Sequence, residues 1–502
     1  MDCSINQITR DKIDTRFYKD SLCLIPYVVF SLFVLLSTVH FVFSIVNFGL
    51  CATYIVLNKK DRTVPFLIYT TYFASIFKIL EITEISLYTL LLLLFVIKEA
   101  INGRFKIKFL VALGIFAVFI ISIQLISGPI NVSRNIKFFE FFFYVYIILD
   151  AYFDSSCKLD CSNILKAVIF GVIISSAFRF LDSNIFPISK FVDEKISTMD
   201  TSAFTRFSGL LSDPNYYAVN VHVAMVSTLF LGLKKKISYA SMLCIIATLA
   251  GLAILTGSKS AILMLIFPFI LLLYINFKQK KAIINVFILL GFATIILLAT
   301  LLKVSMFTFI LARFSLNDLT LDSLTTGRTA IWRDYFAYFE NDSLKLIFGS
   351  GISTSPLHGK AAHNTYFDVL YYLGIVPGAI FIYLIVRYFI HKKVEIKRTI
   401  MNFSGIIIIL AMYMFLSSLF DIDLGTNLLV AIVLFDTRLN DDVVDNIDSN
   451  KIEDEENINI ERKDTYITSE SKNFDKQTFS KQYIQKCLAK KNEYIKHEYW
   501  NK

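Results

Sequence analysis

Apolar runs alternate with short polar ones across residues 22–436. Each run is roughly as long as a helix that crosses the hydrocarbon of a bilayer, about 17–25 residues. In that solvent no water satisfies the backbone, so such runs must be helical. The pattern predicts helices near 22–38, 41–57, 65–80, 86–98, 109–126, 138–153, 163–180, 215–233, 238–255, 260–277, 282–302, 364–388, 403–420 and 424–436. The first two form a tight hairpin around His40. The expected fold class is all-α, a polytopic transmembrane bundle of about 12–14 helices. A polar segment, 1–20, precedes the bundle at 21–436. The first 20 residues lack the pattern of a cleavable signal, so the first helix is expected to stay inserted. Beyond 436 the pattern stops. The tail, 437–502, is acidic around 441–461 and Lys-rich from 472, with too few apolar residues for a core. It reads as disordered or partly helical. Its Lys-rich end is either a solvated charge run or a surface for anionic lipid.

Composition supports a membrane chain. Mean hydropathy is +0.60, and 48 Phe and 25 Tyr stand among 502 residues. The net charge of +9 is modest, and the basic residues gather in short loops, so nucleic acid is not an expected partner. Alternate loops are basic: Arg10/Lys12/Arg16/Lys19, Lys59/Lys60/Arg62, Arg104/Lys106/Lys108, Lys234/Lys235/Lys236, Lys278/Lys280/Lys281 and Lys392/Lys393/Lys397/Arg398. The positive-inside rule places these in the cytoplasm, together with both termini. The long outer loops are then 181–214 and 303–363. Cys3, Cys23, Cys51, Cys157, Cys161, Cys244 and Cys487 all fall in helices or cytoplasmic segments, so the outer face carries no disulfide framework. The Cys157–Cys161 spacing lacks a nearby His or third Cys and reads as ordinary thiols.

Helix centres are almost free of charge, whereas ion-coupled transporters need midplane sites. His222 is the nearest exception, read as a packed or hydrogen-bonded histidine. Polar groups gather instead at the expected outer rim: Glu140, Arg179, Arg206, Asp213, Lys259, Arg328, Arg333, His358, His363, Asp421 and Asp423. Singly, each is an ordinary end-of-helix charge. Several cations at one depth make an anion site suited to phosphate, and Arg binds two phosphate oxygens at once. Residues 327–339 have the spacing of an amphipathic helix, capped by Thr325 or Thr326, with Ile331, Tyr335 and Tyr338 on one stripe and Trp332, Phe336 and Phe339 on the next. It either roofs the bundle, presenting Arg328, or lies on the leaflet with Arg328 among headgroups. Phe348-Gly349-Ser350-Gly351 reads as a flexible turn. His363-Asn364-Thr365-Tyr366-Phe367-Asp368 ends the long polar loop and opens an apolar helix, placing an imidazole where water meets lipid.

Four pieces in order carry a family resemblance: Arg206-Phe207-Ser208-Gly209 into Asp213-Pro214-Asn215; Thr256-Gly257-Ser258-Lys259-Ser260; Gly327-Arg328 with Trp332; and His363-Asn364 followed by Gly374-Ile375 and Gly378. Together, over roughly residues 160–420, the chain resembles the bacterial O-antigen ligase / polysaccharide polymerase superfamily. One departure is Lys259, where the family usually has Arg, so charge is kept but bidentate phosphate binding is lost.

The resemblance implies a glycosyltransferase on the outer face of the bacterial cytoplasmic (inner) membrane. Its donor is a glycan on a polyprenyl diphosphate, and it requires no metal or other cofactor. It implies catalytic roles for Arg206, which neutralises the departing diphosphate, and for His363, which orients or deprotonates the acceptor hydroxyl; an unperturbed imidazole titrates near about 6.5. Arg328, Lys259, Asn364 and Asp213 are the candidate diphosphate or sugar contacts. The expected partners are lipid-linked oligosaccharides, the bilayer and a chain-length regulator protein. A polymerase is the leading reading. A ligase onto lipid A core shares its donor half, and a lipid-linked oligosaccharide flippase would share its helices.

Overall fold

The structure, a computed structural model, describes residues 24–79, 86–102, 107–127, 160–192, 206–278, 328–352 and 362–380, with shorter pieces within 135–144, 281–291 and 354–359, and at 382, 383, 426, 427 and 430. Outside the described residues lie the expectations for 1–20, Cys3, Cys23, Cys157, Cys487, residues 303–327 with Thr325, Thr326 and Gly327, the helix at 403–420, Asp421, Asp423 and the tail 437–502.

All regular structure among the described residues is helical. The helices are α1 (24–37), α2 (Phe41–Leu57), α3 (Lys60–Thr71), α4 (Leu87–Ile101), α5 (Ile107–Ser127), α6 (Cys161–Phe180), α7 (Pro214–Leu233), α8 (Tyr239–Leu255), α9 (Lys259–Met264), α10 (Ile266–Lys278), α11 (Arg328–Asn341), α12 (Ser343–Phe348) and α13 (Thr365–Tyr372). Three stretches among the described residues are long and apolar enough to cross a membrane: Cys161–Phe180, Pro214–Leu233 and Lys259–Phe277.

Helix α7 is the centre. It is mostly apolar, with no polar face, and is buried on every side from Tyr217 to Gly232. It packs on α6 and α8, and α6 packs in turn on α3. The flanking helices turn apolar side chains outward: Ile45 and Leu50 of α2, Ile115 and Val118 of α5, Ile266 and Ile270 of α10. An outer surface of this kind is stable against lipid rather than water. The molecule is an integral membrane protein.

Two predicted helices are shorter than expected. The run at 65–80 becomes α3, which starts at Lys60 and stops at Thr71; residues 72–77 turn, and the Leu87 amide and Ser86 hydroxyl both donate to Phe77 O. The run at 364–388 breaks after α13. Gly374 takes a left-handed φ of 75° and donates to Val369 O and Leu370 O, a glycine C-cap, before helix resumes at 375. Apolar periodicity ran through both sites, but backbone geometry ended the helix.

The lysine end of α3 is also more neutral than its loop suggested. Lys60 is buried in an ion pair with Glu99 at 3.1 Å. Lys98 Nζ donates to Ile55 O at 2.7 Å and to Asn58 O, covering the last carbonyls of α2. Within the bundle, polar side chains meet each other. The Thr89 hydroxyl donates to Glu140 at 2.7 Å, Tyr144 and Thr426 hydroxyls lie 2.6 Å apart, and Asn427 Nδ2 donates to Asn220 at 3.3 Å. His222 is fully buried with Nδ1 2.7 Å from Ala218 O, the hydrogen-bonded histidine expected. Cys51, Cys161 and Cys244 are free thiols.

Candidate functional site

The first two sequence motifs meet at one end of α7 and α8. Asp213 accepts the Asn215 amide at 2.7 Å and caps α7, with Pro214 in the first turn, where its missing N–H costs nothing. The same carboxylate accepts Asn215 Nδ2 at 2.8 Å, which turns Asn215 Oδ1 toward Arg206 Nη2 at 3.2 Å. Arg206 Nε donates to Thr256 O at 2.9 Å, and the Phe207 amide donates to Leu255 O at 3.0 Å. The chain before α7 is therefore laced to the end of α8. Phe207 anchors the lace by stacking on Phe180, centroids 4.7 Å apart, and meeting the Tyr217 ring edge-on. Held through Nε and Nη2, the half-buried guanidinium has a fixed plane.

The Thr256–Ser260 turn is self-braced. The Ser258 amide donates to Thr256 Oγ1 at 3.2 Å, and Ser258 caps α9 by accepting the Ala261 amide. Lys259 opens that helix, half-buried, one turn of chain from the carbonyl that Arg206 holds.

The third and fourth motifs form a second pair. Of the two stripes expected on 327–339, Tyr335 and Phe339 are buried, while Phe336 stays 57% exposed. The buried side of α11 packs on α13: Tyr335 lies edge-on to Tyr371 at 5.2 Å, and Phe336 to Phe367 at 5.0 Å. Trp332 Nε1 donates to Ala362 O at 2.9 Å. Burial raises the Tyr335 hydroxyl well above its ordinary range, and it accepts the Leu357 amide at 3.4 Å. Arg328, first residue of α11, is half-buried.

His363 sits between two anchors. Ala362 is buried under Trp332. Asn364 is buried and caps α13, its Oδ1 accepting the Tyr366 amide at 3.0 Å and the Phe367 amide at 3.3 Å. Between them His363 is half-buried and takes a left-handed φ of 49°. That conformation costs a residue with a Cβ roughly 1 kcal/mol, though His tolerates it better than most. The neighbours enforce it, and strain held in this way is typical of functional positions.

The Phe348–Gly351 segment is not the flexible turn expected. The Ser350 and Gly351 amides donate to Tyr371 O at 2.7 Å and Tyr372 O at 3.1 Å. A Cβ on Gly349 would lie 2.5 Å from Leu373 C, and one on Gly374 would lie 2.3 Å from Gly349 N. The Ser350 and Gly351 amides are spent on the end of α13 and are not offered to a phosphate, and both glycines are required by backbone contact.

The contacts thus join Arg206 with the Thr256–Lys259 turn, and Arg328's helix with His363. The first pair packs on the main apolar core through Phe207 and Leu255, whereas the second has a cluster of its own, Tyr335, Phe339, Ala362 and Tyr371, beside which Ile352, Val369 and Leu373 reach the main core. Arg179 is drawn elsewhere, into a 2.7 Å ion pair with Asp182. His358 is exposed, and Arg333 is exposed on α11. Two roles were missed in the sequence. Asn215 orients Arg206, and its place in Asp-Pro-Asn at a helix start was the available signal. Trp332 tethers Ala362, which no local pattern reveals.

Residues 243–383 match a family model described as O-antigen ligase. This segment is similar to the O-antigen ligase family. It spans from α8 past α13 and so contains the Thr256–Lys259 turn, Arg328, Trp332, His363 and Gly374. Arg206 lies before it in sequence but is bonded to Thr256 within it. No curated protein matches the chain. Members of the O-antigen ligase family are glycosyltransferase-like enzymes, ligases or polymerases of surface polysaccharide, and the match supports a role of that type.

Proposed function

We propose that the protein is a surface-polysaccharide polymerase, moving a growing glycan from one polyprenyl diphosphate onto the repeat unit carried by another at the outer face of the bacterial inner membrane. The carrying observation is that four motifs scattered along the chain are closed into two pairs by the Arg206–Thr256 and Trp332–Ala362 hydrogen bonds. In this reading the pairs line one watery, cationic chamber.

The chemistry asks little else of the protein. The acceptor hydroxyl oxygen bonds to the anomeric carbon of the donor. The bond from that carbon to the diphosphate oxygen breaks, and the electron pair leaves with the lipid diphosphate. Arg206, its plane fixed by Asn215 and Thr256, neutralises charge that develops on the leaving group, with Arg328 and Lys259 assisting. His363 receives the hydroxyl proton. Asp213 and Asn364 serve by capping α7 and α13, so they set where Arg206 and His363 stand.

The family model's description favours a second reading, a ligase that delivers finished polymer to lipid A core. Deleting the gene separates the two. Single repeat units at the surface support the polymerase, whereas long polymer stranded on carrier lipid overturns it in favour of the ligase.

A further inference from the structure

At the opposite end of α7 from Arg206 lies a cleft of about 410 Å³, lined by Gly232, Lys235, Lys236, Ile237, Ser238, Tyr239 and Lys281, none of them acidic. We propose that this cleft binds a phosphate group, presented by an anionic lipid headgroup or by a free phosphate, on the leaflet facing away from the transfer site. Helix α7 is 20 residues long, which spans about 30 Å and so about one bilayer core. Given the transfer site proposed above at Arg206, the two anion sites sit on opposite surfaces.

Two of the lining residues are held from behind. Tyr239 donates its hydroxyl to Asn276 Oδ1 at 2.7 Å, Asn276 Nδ2 donates to Asn285 at 2.7 Å, and Asn276 itself is wholly buried. The Lys281 amide donates to Asn276 O at 2.8 Å, which joins the chain after α10 to the start of α8. Lys281 Nζ lies 3.7 Å from the centre of the Tyr239 ring, a cation–π contact between two residues that line the cleft. Lys235 ends α7 with a left-handed φ of 55°, where glycine is the usual residue, and its amide donates to Gly232 O. The macrodipole of α7 welcomes a cation at its end. It does not explain why cations from two separate helix junctions face one concavity. Basic pockets between helices at a membrane surface take phosphate headgroups by this arrangement of charge.

The test is native mass spectrometry of the full-length protein purified in detergent, with phosphatidylglycerol or phosphatidylcholine added. Wild type should retain phosphatidylglycerol about tenfold better than Lys235→Ala/Lys281→Ala, and Lys235→Arg/Lys281→Arg should restore retention. Millimolar inorganic phosphate that displaces the lipid and itself binds marks a free-phosphate site; lipid held against it marks a headgroup site. Either supports the cleft. Equal retention by wild type and both variants, or equal retention of phosphatidylcholine, overturns it. Should the alanine variant fail to fold, Lys281→Gln alone gives the same comparison.

Discussion

At the scale of single residues, the account separates charge from geometry. Arg206→Lys keeps a cation but loses the planar fork that Asn215 and Thr256 hold, so product formation should fall well below wild type while the protein stays inserted. Arg206→Ala should fall by about 10²–10³-fold, the usual loss when a group that stabilises developing charge is removed. Lengthening of lipid-linked repeat units, scored on gels against immunoblotted membranes, checks both. His363→Gly is a sharper probe. Glycine relieves the left-handed φ of 49°, so thermal stability should hold or rise, while loss of the imidazole lowers activity about 10²–10⁴-fold. A variant that loses stability with activity would make His363 structural. The candidates themselves were legible in the sequence, because titratable groups in an apolar chain stand out. Their supports were not. That Asn215 orients Arg206, or that Asn364 spends its carbonyl oxygen on α13, follows from side-chain direction, which residue type does not specify.

At the scale of elements, most helices among the described residues were readable because lipid imposes a length and an apolar composition: 41–57 and 239–255 fall within a residue of their predicted bounds. The misreadings share one cause. Hydropathy reports what surrounds a segment, not where its backbone stops being helical, so α3 and α13 end at turns hidden inside apolar runs. The α12–α13 junction turns on two glycines in backbone contact. Gly374→Ala puts a Cβ 2.3 Å from Gly349 N, whereas Gly378→Ala meets Val369 Cγ1 at an ordinary 3.4 Å. Gly374→Ala should therefore lower the thermal midpoint of the detergent-purified protein by an amount worth about 2 kcal/mol or more, and Gly378→Ala should change it little. Similar midpoints for the two would mean that the close approach is not rigid. The α11–α13 tether is tested by Trp332→Phe, which keeps the aromatic packing and removes the bond to Ala362 O. The cost in stability should be about 1 kcal/mol, with activity reduced because His363 follows the residue released.

At the scale of the whole molecule, Arg206 stands beside the start of α7 and Lys235 just past its end, and between them the core pairs polar side chains with each other: Asn220 with Asn427, Tyr144 with Thr426. Among the described residues, that pairing fits the proposed chemistry at a membrane surface, whereas carriage through the middle calls for charge at mid-depth. The α7–α8 hairpin sets the geometry: one end holds Arg206 and Thr256, the other Lys235 and Tyr239. The most direct measurement uses purified full-length protein in detergent, supplied only with polyprenyl-diphosphate-linked repeat units, where transport across a membrane has no meaning. Wild type should build longer lipid-linked glycans, and Arg206→Ala and His363→Gly should leave single units. Wild-type chain lengths from both variants, or no lengthening by a folded wild-type protein given the correct repeat unit, would contradict glycan transfer at this site.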